Sequence, residues 1–78
     1  MAPMRERCYL AIIARAEDGS YSAYVPDLPG CVAVGQDTPE AARRLIAQAI
    51  DAHIQGLIED GLPVAEPTSR AEYVEAVA

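Results

Sequence analysis

Apolar positions follow two rhythms along this chain, and each rhythm predicts a different element. From Cys8 to Ala16 nearly every residue is apolar, and both parities qualify: Cys8, Leu10, Ile12 and Ala14 on one side, Tyr9, Ala11 and Ile13 on the other. Such a run reads as a strand with both faces covered. Glu17-Asp18-Gly19-Ser20 follows as a hairpin signal. Ser20 to Val25 alternates and reads as a second strand, and Cys31 to Gly35 as a short third one. Pro26-Asp27-Leu28-Pro29-Gly30 separates them, with Pro29-Gly30 suited to the centre of a type II turn.

After Thr38 the period changes to that of a helix. Thr38 reads as the N-cap, Pro39 as the first helical residue, and Glu40 sits at the positive end of the dipole. Ala42, Leu45, Ile46, Ala49, Ile50, Ile54, Leu57 and Ile58 then form one apolar stripe, and Gly61 stops it. Gly56, within the helix, is expected to admit a neighbouring backbone. Residues 62–69 form an extended connection punctuated by Pro63 and Pro67, and Arg70 to Ala78 leans toward a fourth strand. The expected fold is therefore α+β, in the order β-β-β-α-β. Three strands make an antiparallel meander, a fourth lies parallel to the first, and one long helix covers one sheet face. The other face, holding Tyr9, Ala11 and Ile13, is left bare and is the expected interface between copies of the chain.

Composition narrows the function. The 78 residues make a single domain, 1–78, in which 15 alanines leave a thin core. Cys8 and Cys31 make neither a disulfide framework nor a four-ligand zinc site, and are expected to be small buried hydrophobes. Extra stability then has to come from oligomerisation or a partner, with a homodimer or higher homo-oligomer as the expectation. Twelve acidic residues against six arginines and no lysine, for a net charge of −6, argue against direct nucleic-acid binding. The longest apolar run is far too short to span a membrane, and Met1 to Arg7 lacks the apolar core of a secretory signal, so a cytoplasmic protein is expected. The lone His53 lies beside the helical stripe and reads as a boundary residue; it has no companions for a metal site. No cofactor is implied.

Three motifs in order carry a resemblance. They are Gly19-Ser20-Tyr21-Ser22-Ala23-Tyr24-Val25-Pro26-Asp27-Leu28-Pro29-Gly30-Cys31, then Gly35-Gln36-Asp37-Thr38-Pro39-Glu40-Ala41, then Asp60-Gly61-Leu62-Pro63 with Pro67-Thr68-Ser69. Together they resemble the HicB family of antitoxins. The resemblance implies a partial ribonuclease-H fold and a role in binding and silencing HicA, a small basic mRNA-cleaving toxin. It implies no catalysis here, because the first strand holds no Asp or Glu, and Asp51 and Glu72 alone do not make a metal-binding cluster. Many members carry a further DNA-binding segment; none follows here, so operator binding is not expected. Asp27, Leu28, Pro29 and Gly30 have two readings: turn chemistry, or direct contact with the partner through Leu28 at a loop tip. An orphan module of the same fold, binding another protein or a small ligand, is the alternative function.

Overall fold

The computed structural model describes residues 7–77. Its elements are β1 (Ile12–Arg15), β2 (Tyr21–Tyr24), β3 (Val32–Gln36) and α1 (Pro39–Glu59). The strands form one antiparallel sheet in the order β1-β2-β3, as the meander requires. Gly19, with φ 87°, closes the first hairpin, and the Asp18 carboxylate accepts from the Ser20 amide at 2.9 Å and the Ser20 hydroxyl at 2.7 Å. Gly35, with φ 70°, sits where the register slips between Ala23↔Ala33 and Tyr21↔Gln36, so β3 carries a bulge there.

The helix forms as its end signals require. The Thr38 hydroxyl accepts from the Ala41 amide at 3.0 Å, Pro39 opens the first turn, and Gly61 adopts φ 69° just past the Asp60 cap. At 21 residues it is about 31 Å long, whereas strands of four or five residues reach only about 13–17 Å. Ala49, Ile50 and Ile54 still pack against the core, and the last turn, with Ile58 exposed, runs beyond it. The core lies between helix and sheet: Ala23, Val25, Leu28, Cys31, Ala33, Ala42 and Ile46. Three of these are alanines, which lets helix and sheet backbones approach closely but buries little apolar area. Nothing stands within 4 Å of the Cβ that an alanine at 56 would carry. The expected close approach of a backbone at Gly56 is thus not what that glycine serves.

Two expectations need correction. The first concerns which face of β1 is covered. Ile13 pairs with the buried Ala23, and Tyr9 and Ala11 pack against the core cluster. Tyr9, Ala11 and Ile13 therefore stand on the helix side, and the bare face belongs to the other parity, Ile12 with Tyr24, Val32 and Val34. A run that is apolar at every position cannot choose its own face; the partner strands choose it. The second concerns the fourth strand. Residues 62–77 form no strand, and Ala78 lies outside the described residues. Pro63 and Pro67 remove two amide donors, and the bonds that hold this tail come from side chains. The Cα radius of gyration is 14.7 Å, against about 11–12 Å for a compact chain of this length, and the longest extent is 52 Å. The tail projects from the body. No helix of the described residues is long and apolar enough to cross a membrane.

Candidate interaction surface

The loop between β2 and β3 is built from two consecutive turns that share Leu28. The Leu28 amide donates to the Val25 carbonyl at 3.1 Å, across Pro26 and Asp27. The Cys31 amide donates to the Leu28 carbonyl at 3.0 Å, across Pro29 and Gly30, and Gly30 takes the φ of 85° that the third position of a type II turn demands. The Val25 amide closes the loop on the Cys31 carbonyl at 3.2 Å. Turning twice in five residues sends the shared side chain inward. Leu28 is 1% exposed, the only large side chain among the described residues so completely buried. The expectation that Leu28 stands at a loop tip and meets a partner is corrected: it is a core residue. Pro29 and Gly30 are exposed at the outside of the loop.

Asp27 has an equally specific task. Its Oδ2 accepts from the amides of Thr68 and Ser69, both at 2.9 Å, and its Oδ1 accepts from their hydroxyls at 3.1 and 2.8 Å. Four donors on one carboxylate hold the ionised form, so Asp27 lies below the usual aspartate range, with the Ser69 amide and hydroxyl the largest causes. Two further contacts hold the same tail. The Tyr9 hydroxyl donates to the Ala65 carbonyl at 2.6 Å, and Arg7 pairs with Glu66 at 3.5 Å. The tail therefore crosses the end of the sheet, from the strand-1 side at residues 65–66 to the β2–β3 loop at 68–69. Sequence reading missed this clasp. Its signal was the pairing of a loop aspartate with a Thr-Ser dipeptide forty residues later, which no local pattern joins.

Three other surface features complete the site. The face opposite the helix shows Ile12, Tyr24, Val32 and Val34 at 36–68% exposure, a contiguous apolar patch across all three strands. Charge is unevenly spread: residues 45–77 carry six carboxylates against one arginine, whereas residues 7–44 carry five against four. Asp51 and Glu59 stand exposed on the second half of the helix, and Asp60 at its C-cap. Both cysteines are free thiols. Cys31 is buried, which pushes its thiol up, but Cys8 is exposed, contrary to expectation. His53 is half-buried at the edge of the helical stripe, as a boundary residue would be. Among the described residues no group of three His, Cys, Asp or Glu side chains is placed to hold a metal ion.

The described surface thus combines an apolar sheet face, an acidic helix end and a clasped tail. Known sequences resemble the chain over most of its length. The chain is 39% identical over 56 residues to a UPF0150 protein of Synechocystis sp., covering 72% of this chain and 70% of that one. It is 45% identical over 49 residues to a UPF0150 protein of Thermoplasma acidophilum, covering 63% and 70%. An uncharacterized 14.9 kDa protein from the rep-hol intergenic region of Haemophilus phage HP1 is 41% identical over 61 residues, which is 76% of this chain but only 44% of the phage protein. The profile of the HicB-like antitoxins of bacterial toxin–antitoxin systems matches residues 9–78, so nearly all of the chain's described structure, from the Tyr9 contact to the projecting tail, belongs to that family.

Proposed function

We propose that this protein is an antitoxin that binds and neutralises an mRNA-cleaving toxin of the HicA type by direct protein–protein contact, in the cytoplasm and with no catalysis of its own. The observation that carries this reading beyond the family is the charge asymmetry. The second half of α1 and the tail form an acidic end, and a basic RNA-cleaving enzyme is the partner such an end attracts. Asp51, Glu59 and Asp60 supply the charge, and the exposed Pro29 and Gly30 are the loop positions free to make contact. Asp27 and Leu28 act behind them, by holding the tail and the core. The chain works as a homo-oligomer, because a core this thin leaves large apolar side chains of the sheet, Ile12 and Ile13 among them, more than a third exposed on so small a body.

Co-expression with a small basic mRNA-cleaving toxin of the HicA type tests the toxin half. Rescue of growth arrest together with copurification is the expected result. Persistent arrest with no complex on an affinity column overturns it. Reversal of charge at Asp51 and Glu59 to Lys should slow association and flatten its salt dependence, while the chain remains folded by circular dichroism.

A further inference from the structure

Residues 70–77 leave the body at the Asp27 clasp, and all of them are exposed; Tyr73 and Val77 are fully so. This arm contains no Pro or Gly and carries Tyr73, Val74 and Val77, residue types of a strand. Eight extended residues reach about 26 Å. The sheet offers two edges. β3 carries the Gly35 bulge, and the Gln36 amide side chain folds back to donate to the Val34 carbonyl at 2.8 Å, so that edge is interrupted. β1, Ile-Ile-Ala-Arg, has no Pro, Gly, Lys or bulge to blunt it. It also has an apolar side chain more than a third exposed on each face, Ile12 on the open side and Ile13 on the helix side.

We infer that the arm of one copy pairs with the β1 edge of a second copy and supplies there the fourth strand. A strand laid beside β1 places Tyr73 and Val77 on one face and Val74 on the other, so both half-exposed isoleucines gain cover. The arm pairs its own Arg70 with Glu72 and brings Glu75 to an edge whose one charge is Arg15. The occupant is a second copy because the clasp directs the arm away from its own edge. Thr68 and Ser69 are bonded to the β2–β3 loop, which lies on the far side of β2 from the free edge of β1. Exchange is reciprocal, so two copies close into a twofold dimer. This builds on the self-association half of the proposed function and not on the toxin half.

The full chain by light scattering should give twice its 8.3 kDa mass. Val74→Pro, which deletes an amide donor in an arm that is exposed in the single copy, should return the mass to 8.3 kDa with the helical dichroism unchanged. A sample mixing copies labelled at isoleucine methyls with unlabelled copies should show contacts between the Tyr73 ring of one copy and the Ile12 and Ile13 methyls of the other. A Val74→Pro protein that stays dimeric, or ring–methyl contacts found only within one copy, overturns arm exchange while leaving self-association through the open face. A monomeric parent protein overturns both and leaves the toxin half standing.

Discussion

The loop of residues 26–30 and the tail of residues 62–77 are both proline-punctuated, and both lack regular secondary structure, yet they sit at opposite ends of the order in this molecule. The loop satisfies its backbone locally: its three hydrogen bonds join residues no more than six apart, and they enclose the most buried large side chain. The tail is held by side chains drawn from more than forty residues away, Tyr9 and Asp27 chief among them. Irregular backbone becomes part of a core when its polar groups are closed by short turns. When its anchors are distant polar side chains, the backbone stays at the surface and stays separable from the fold. The two regions meet at one carboxylate, so each can be perturbed while the other is watched.

Breaking the loop should cost most. Leu28→Ala removes the best-buried large side chain from a core otherwise rich in alanine, and about 2–5 kcal/mol is expected. That is a large share of the roughly 4–12 kcal/mol typical of a chain this size, so urea denaturation should show a partly unfolded population before denaturant is added. Gly30→Ala comes next. Nothing stands within 4 Å of the added methyl, so the cost is the positive φ alone, about 1–2 kcal/mol, read as a lower urea midpoint at unchanged slope. On the tail side, Tyr9→Phe deletes the donor to the Ala65 carbonyl at an exposed position and should cost about 0.5–1.5 kcal/mol.

Asp27→Asn should affect global stability least and the tail most. An amide offers one oxygen where the carboxylate offers two, so hydrogen exchange at the Thr68 and Ser69 amides should accelerate while the amides of β2 keep their protection. Acid should mimic it. The Asp27 carboxyl lies below its ordinary value in the folded chain, so its contribution is complete above about pH 4 and is lost as pH falls through the lower folded value. Tail protection that is flat from pH 7 down to 5 and falls below 4 is the expected profile. A tail equally protected in the Asn variant would sever the link between the two regions.

Much of the scaffold is legible in the residues themselves. The helix is announced by Thr38-Pro39 at one end and Gly61 at the other, with an apolar stripe of the right period between them, and it forms over Pro39–Glu59. The meander follows from short β-rich runs separated by turn residues, and Pro29-Gly30 makes the turn its chemistry specifies. These are local rules, decided within a few residues of each other, and no distant partner is needed to satisfy them.

Tertiary structure alone decided the rest, and in each case because the deciding partner is remote. The run from Cys8 to Ala16 is apolar on both parities, so only pairing with β2 could place Ile13 beneath the helix and Ile12 on the open face. Leu28 reads as a loop tip until two turns are chained and point it inward. Asp27 reads as turn chemistry until Thr68 and Ser69 arrive from the other end of the chain. Residues 70–77 form no strand although Tyr73, Val74 and Val77 favour one, because the segment before them is tied by its Thr68 and Ser69 to a loop carboxylate and not to a strand edge. Local propensity sets which conformations are inexpensive; the partner that satisfies a backbone or a carboxylate across forty residues sets which one is used.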